Sequence, residues 1–551
     1  MRRALTTVAV LLLVFGSLAP AAAAAPAPAP EQGGDKQAVN LATTNASAAN
    51  DAPPDPEEDQ LGWENGYWHN ESIDVDQSDG LSEAELNATV SRAMARVEYV
   101  RELEFQKTVP VELISREEFA NSNNRTVNET FRAFDDTKFE ALLLVGEQDD
   151  SLDVQQENRG TSVQGYYSPT KDAIVIIAEN TSSPEMDEFT LGHELVHALQ
   201  DQHFNLSSIN RKTRDGANAD SGIVEGDANY VQNRYEDRCG EGGSWNGSCV
   251  RPMSEGGGGG GGLANIGVYF VKFQPYSDGP KFIASRYKAG GWAAVNAVYN
   301  DTPASAEQVI HPEKYGEDAP TTVELEDQHS DQWQRLRPAD RPDYGVVGQT
   351  GVASMFVYPL YHEGEGGRIV QPRNWLNYTD DGSISSFDPL NYGFDYAEGW
   401  DGDRMHFYRN ADNETAYVWR IVWDTPQDAA EFRDGYEQLL AYWGAEEAGE
   451  NTYRIPEGAS QFADAFHITV EGDTVTIVNA PTTDELSQVR SSVDGDSETT
   501  TATATAVDET AESTTTGTAT ETETTTTEGP GFSALVAVVS LLLGMLAMRV
   551  R

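Results

Sequence analysis

The sequence predicts an α+β fold, with a sheet and helices forming a core that is followed by a smaller α+β region. Three observations lead there. Residues 165–178, GYYSPTKDAIVIIA, read as a β-hairpin whose two apolar runs flank a Ser-Pro-Thr-Lys-Asp turn. Residues 190–204 and 221–236 carry apolar residues at helical spacing. Further on, 416–423 (AYVWRIVW), 465–471 and 474–479 read as strands around a helix near 427–443, which gives a small β-α-β-β unit.

Taken in order, residues 26–75 are rich in Pro, Ala and acidic residues and read as a linker. Asp74 to Gly80 resembles a calcium loop, but its glycine falls one place late for an EF-hand. Ser82 and Glu85 instead form a capping box for a helix running to about Glu104. VPVELI is a strand, and Ser115 caps a short helix after it. The glycine run 256–262 lacks the strand–GxGxxG–helix setting of a phosphate cradle and reads as a loop. Helices follow near 281–299 and 344–361. The two cysteines, Cys239 and Cys249, lie close together among glycines and predict one local disulfide.

Charge narrows the partners. The chain carries 90 acidic against 37 basic residues, a formal charge of −53, and only nine of the basic residues are lysines. Such a charge repels phosphate, so nucleic acid is excluded as a partner. An acidic, lysine-poor surface suits high salt, where repulsion is screened within roughly 3 Å at 1 M. Ten tryptophans and 22 tyrosines argue against a disordered acidic chain.

The chemistry sits in LGHELVHALQDQHF. His193 and His197 are four apart on a helix, about 400° around its axis, and so share a face. Both imidazoles can reach one Zn²⁺. Glu194 points about 100° away from His193 and is placed as a general base rather than a ligand. Zinc needs a third protein ligand. The next helix offers Glu225 in IVEGDANY, 28 residues after His197, with Asp227 as a partner orienting a histidine. The rival is His203, six residues after His197, with Met253 as a Met-turn. That spacing needs a glycine where Gln200 stands; without the break His203 turns about 240° away. Arg404, in a Gly-Asp-Arg turn, is the choice for oxyanion donor over Tyr230, His311 and His406.

The hairpin GYYSPTKDAIVII, the helix HELVHALQDQHF and the segment IVEGDANYV resemble the gluzincin-like clan of HExxH…E zinc metallopeptidases. The resemblance implies a zincin-like core over 76–280, with an α+β part over 281–487. It also implies a zinc cofactor and a protein or peptide substrate. In that clan the strand before the metal helix is a sheet edge that pairs with extended substrate; Val175 to Ile177 would supply it here. ASAEQVIHPEKY (304–315) and EGWDGDRMHFY (398–408) resemble later parts of a family of uncharacterised secreted proteins, which supplies no substrate.

The ends give an address. Residues 1–25 have a basic head, an apolar run and small residues, as in a secretory signal peptide. Residues 488–528 are mostly Thr, Glu, Ala and Ser and read as a stalk. Residues 529–551 carry Pro530-Gly531-Phe532, an apolar run and terminal arginines, and resemble the PGF-CTERM sorting signal of haloarchaeal surface proteins. That resemblance implies tail removal by an archaeosortase and attachment to a lipid. Eleven N-x-S/T sequons are glycan acceptors in principle. The expectation is an exported zinc metallopeptidase anchored at the cell surface, its oligomeric state left open. The rival is a non-catalytic cell-envelope binding or structural protein on the same scaffold.

Overall fold

The computed structural model describes residues 53–122, 127–178, 180–252, 263–362 and 369–493, and a two-residue strand, β1 (Ala38–Val39). The residues expected to form a leader, most of a linker, a stalk beyond residue 493 and a C-terminal signal, together with Met253 and the glycine run, lie outside the described residues. The fold is mixed α+β.

β2 (Trp63–Glu64) and β3 (Tyr67–Trp68) form a hairpin across Asn65-Gly66, both with positive φ (48° and 93°). Asn-Gly is the usual pair for such a turn. The hairpin packs on α1 (Glu83–Arg101): the His69 and Tyr99 rings stack at 3.7 Å, and Gly62 N donates to Glu98 Oε2 at 2.9 Å. The linker therefore ends near residue 60 rather than 75. The capping box is present, with Ser82 and Glu85 bonding reciprocally.

β4 (Val111–Ser115), α2 (Arg116–Ser122), α3 (Glu129–Ala141), α4 (Ser151–Ser162), β5 (Gly165–Ser168) and β6 (Ala173–Ala178) follow. Ser115 Oγ accepts from Glu118 N at 3.1 Å, capping α2 as expected. The strands join in the order β1-β4-β6-β5. The β4–β6 pair is parallel, and the α2–α4 stretch makes the crossover a parallel pair needs. β6 thus has neighbours on both sides, and Val175 to Ile177 are not a free edge. The terminal strands are β1 and β5, and β5 is the one beside β6.

α5 (Glu188–Phe204) carries both histidines, and α6 (Arg214–Cys239) carries Glu225. α6 starts seven residues before the expected Ser221, capped by Thr213, whose Oγ1 accepts from Gly216 N at 3.2 Å, and its inner glycines are packing sites. A Cβ on Gly226 would stand 2.5 Å from the Gly279 carbonyl oxygen, and one on Gly222 would stand 2.9 Å from Val309. Gly279 lies on α7 (Ile266–Val298). That helix begins well before the expected 281, runs through Pro275 and Pro280, and kinks at Gly290-Gly291. It crosses residue 280, where the sequence divides core from C-terminal part. The Cys239–Cys249 disulfide closes the end of α6.

The remainder is α8 (Glu307–Ile310), β7 (Gln334–Arg335), α9 (Gly348–Tyr361), α10 (Pro372–Trp375), β8 (Trp400–Arg409), β9 (Thr415–Trp423), α11 (Pro426–Tyr442), β10 (Glu446–Gly449), β11 (Thr452–Arg454), β12 (Ala465–Glu471), β13 (Thr474–Ala480) and α12 (Leu486–Val489). Its sheet has the order β10-β11-β12-β13-β9-β8-β7, all antiparallel. The expected β-α-β-β unit is its centre. The Gly-Asp-Arg at 402–404, expected as a turn, lies in β8 beside a bulge.

Leu191, Leu195, Ile223 and Phe282 belong to one apolar core; Trp375, Trp400, Trp419 and Trp423 belong to another. α7 feeds both, with Phe270 and Phe273 in the second and Phe282 and Ile283 in the first. No described helix is long and apolar enough to cross a membrane.

The α6–α7 crossing makes a stability test. Gly226→Ala is expected to cost about 1–3 kcal/mol by overpacking, read from denaturant midpoints. Gly240→Ala, where a Cβ meets only ordinary contacts at 3.6–3.7 Å, is the control and is expected to stay within about 0.5 kcal/mol.

Candidate metal centre

The site is assembled by α1, α5, α6 and α7. Arg92 and Arg96 of α1 point inward and hold Glu188, the first residue of α5, at 2.9 and 2.8 Å. Glu188 also accepts from Tyr235 Oη and from Val250 N, both at 2.5 Å. Arg101 clamps Asp227 on α6 at 2.9 and 3.1 Å, and Tyr299 Oη donates to the same carboxylate at 2.7 Å. Two pins on one helix thus set the register of both site-bearing helices.

His193 and His197 then face Glu225. The His193 and His197 Nε2 atoms are 3.1 Å apart, and Glu225 Oε2 lies 3.3 Å from the first and 3.4 Å from the second. Four ligands about 2.0–2.1 Å from a tetrahedral zinc stand about 3.3–3.4 Å from one another. The three atoms therefore form one face of a tetrahedron of the right size, and two nitrogens with one carboxylate oxygen suit zinc chemically. All three side chains are buried.

The tautomer of His197 follows from its neighbour. Gln200 Nε2 donates to the Val224 carbonyl at 2.9 Å, which fixes the amide and turns Oε1 toward His197. His197 Nδ1–H donates to that oxygen at 2.9 Å, so the Nε2 lone pair faces the site. Asp227 was expected to orient a histidine; Arg101 and Tyr299 occupy it instead, and Gln200 does that work. His203 packs at the end of α5, its Nε2 bonded to the Glu104 carbonyl at 2.7 Å, and does not join the three.

Charge in the triangle is matched. Burial works to lower His197, but the neighbouring Glu225 carboxylate overrides it and raises the imidazole to about 9. Burial works to raise Glu225, but His197 and His193 beside it hold it at about 2. The pocket thus favours one added positive charge, and a proton and a metal ion compete for the same place.

Glu194 stands off the triangle. Its Oε2 accepts from Tyr167 N, on β5, at 2.9 Å, so the terminal strand orients the carboxylate. Burial raises its pKa, with Glu225 adding to the effect and the two histidines opposing it. On α7, Tyr276 is buried beside the same groups; burial, then the Glu225 and Glu194 carboxylates, push its phenol well above the ordinary range, so it stays a donor.

Arg404 is elsewhere. On β8 its guanidinium lies over the Tyr344 ring at 4.2 Å and 3.9 Å from Glu324. His406 bonds Asp327, His311 bonds Gln349, and Tyr230 packs at tilted and edge-on angles against Tyr287 and Trp292. None of these four joins the triangle. Sequence reasoning missed Tyr276, Gln200 and Tyr167. Gln200 alone had a signal, a polar residue three places after a ligand on the same helix.

Residues 334–490 match a family model described as a domain of unknown function, DUF8575. The match begins at β7 and covers the C-terminal sheet, beyond the three ligand candidates. No curated protein and no solved structure matches the chain. A second group, Glu140, Glu147 and Asp464, lies within the matched region only in part and is all carboxylate. Burial pushes Asp464 up to about 7 and raises Glu140 and Glu147 as well, which opposes their holding charge.

Gln200→Leu keeps the shape near His197 but removes the oxygen that fixes its tautomer. Zinc affinity is expected to fall about 10–100-fold in chelator competition, with the far-ultraviolet circular dichroism unchanged.

Proposed function

We propose that this chain is an exported zinc metallopeptidase with a zincin-like core, in which His193, His197 and Glu225 bind the metal. The observation that carries the reading is the triangle of ligand atoms at 3.1, 3.3 and 3.4 Å, with a buried carboxylate held just outside it by a strand N–H. Among the described residues three candidate ligands leave a fourth position open, as in catalytic rather than closed structural zinc sites.

Zinc, when bound, supplies a Lewis acid that polarises a carbonyl and acidifies water. The chain's residues supply the rest. Glu194, with its raised pKa, takes the proton from the attacking water and later delivers it to the leaving amine. Tyr167 N holds Glu194 Oε2, leaving Oε1 to do the transfer. Gln200 holds His197. Tyr276 Oη, kept protonated, donates to the oxygen on which negative charge develops, the role expected of Arg404 from sequence. β5, a terminal strand, replaces β6 as the strand beside which an extended substrate runs.

Cleavage of casein in high salt is expected to stop on adding a chelator and to return with zinc. Glu194→Gln is expected to lose activity about 10²–10⁴-fold while retaining zinc. Equal cleavage by Glu194→Gln would sink the mechanism. Tyr276→Phe is expected to lower kcat about 10²–10³-fold with KM little changed.

A further inference from the structure

Three carboxyls meet away from the imidazoles. Glu140 lies in the last turn of α3, Glu147 in the loop that follows, and Asp464 just before β12. Each offers one oxygen, and the three oxygens lie within 4.8 Å of one another. Glu140 and Asp464 are buried, 8% and 6% exposed, while Glu147 faces solvent. The charges that act most on the three are all carboxylates: each other, Glu414 and Glu457. Glu140 also stands at the negative end of the α3 dipole, where a carboxylate is disfavoured and a cation favoured.

Neutral oxygens stand beside them. Thr415 Oγ1, on β9, donates to Glu140 Oε2 at 3.2 Å. Asn479, on β13 and 1% exposed, reaches into the group with its amide. Its Nδ2 donates to Asp464 Oδ2 at 2.8 Å, and its Oδ1 is buried with no partner. A buried acceptor left unsatisfied costs about 1–3 kcal/mol, so this oxygen calls for a donor or a cation. Carboxylate, amide and hydroxyl oxygens, with no nitrogen or sulfur ligand among them, suit a hard cation.

Size selects among hard cations. Oxygens about 2.3–2.6 Å from calcium lie at most about 4.6–5.2 Å apart, whereas oxygens about 2.0–2.1 Å from magnesium lie at most about 4.0–4.2 Å apart. A group bounded by 4.8 Å falls inside the first limit. Calcium also accepts irregular geometry and fills the remaining positions with water, for which the Glu147 side is open.

We propose that Glu140, Glu147 and Asp464 bind one calcium ion, and that the Asn479 amide turns its oxygen to it. Burial and mutual repulsion oppose charge on these carboxyls, and a divalent ion supplies the counter-charge. The ion joins distant parts of the chain. Asp464 and Asn479 lie in the segment 334–490, whereas Glu140 and Glu147 belong to α3 and its loop. Loop and sheet already touch, since Glu147 N donates to the Gln461 carbonyl at 3.2 Å and a Cβ on Gly146 would stand 2.8 Å from the Gln461 side chain. The same loop carries Leu144, whose carbonyl accepts from Asn265 Nδ2 at 2.7 Å, and Asn265 caps α7, the helix of Tyr276. Calcium therefore staples the C-terminal sheet to the loop that holds the start of α7.

The test uses the full chain in high salt, freed of calcium and with zinc present throughout. Terbium, a luminescent ion that takes calcium's oxygen ligands, is the probe, and Tyr417, which senses both Glu140 and Asp464, is a near sensitiser. Sensitised emission is expected to saturate at one ion per chain. Calcium is expected to displace it with a midpoint of about 10⁻⁴–10⁻³ M and to raise the melting temperature, with magnesium at least about tenfold weaker. Glu147→Gln, at an exposed position, and Asp464→Asn are each expected to weaken calcium about tenfold or more. Glu457→Gln, an exposed neighbour, is expected to leave it unchanged. Emission is expected to persist in His197→Ala, which separates this site from the proposed zinc centre. Emission that never saturates, or a calcium midpoint that Glu147→Gln and Asp464→Asn both leave unchanged, overturns the site. Equal displacement by magnesium overturns the choice of calcium.

Discussion

Arg92, Arg96 and Arg101 point into the protein from a single helix, almost wholly buried, and the geometry of the proposed metal centre depends on what they hold. The first two grip Glu188, five residues ahead of His193; the third grips Asp227, two residues beyond Glu225. Buried ion pairs are a poor source of net stability, because desolvation offsets the attraction, yet removing one partner costs about 3–5 kcal/mol. Their contribution here is register. An apolar interface between α1 and α5 would tolerate a slide of part of a turn. A carboxylate gripped by two guanidiniums, a tyrosine hydroxyl and a backbone N–H tolerates almost none. The disulfide loop joins the same knot, since Ser248 Oγ accepts from Arg96 Nη2 at 2.8 Å and Val250 supplies its N–H to Glu188. A reach of a few tenths of an ångström between three ligand atoms needs that kind of constraint.

Much of the site was legible because its chemistry is local. Two histidines four apart on a helix share a face whatever surrounds them, and Glu225 falls on the helix that must return past them. The capping box at Ser82, the hairpin before α5 and the disulfide are local for the same reason. What was missed depends on distant partners. Tyr276 sits in a stretch whose two prolines argue against a helix, and only the α6 glycines, packed on Gly279, show why the helix persists. Arg404 looked like a turn residue because Gly402 and Asp403 precede it, whereas pairing with β9 makes it strand. β6 looked like an edge because the parallel partner that covers it lies some 60 residues earlier in the chain. Asp227 was expected to orient a ligand histidine, but its partners are Arg101 from α1 and Tyr299.

The charge distribution connects these levels. Acidic residues dominate the chain, 90 against 37 basic, and suit hydration in high salt. Three buried arginines hold the helices. Between them Glu194, Glu225 and the two histidines make a pocket that favours one added positive charge. The same scarcity of lysine that reads as a surface adaptation makes the interior cations informative.

X-ray absorption at the zinc edge of the full chain measures the centre itself. The expected result is one zinc per chain with two imidazole nitrogens and one carboxylate oxygen at about 2.0–2.1 Å, plus one light-atom ligand from outside the protein, the carboxylate being lost in Glu225→Ala. A shell with a third imidazole that disappears in His203→Ala, or a closed set of four protein ligands, would contradict it.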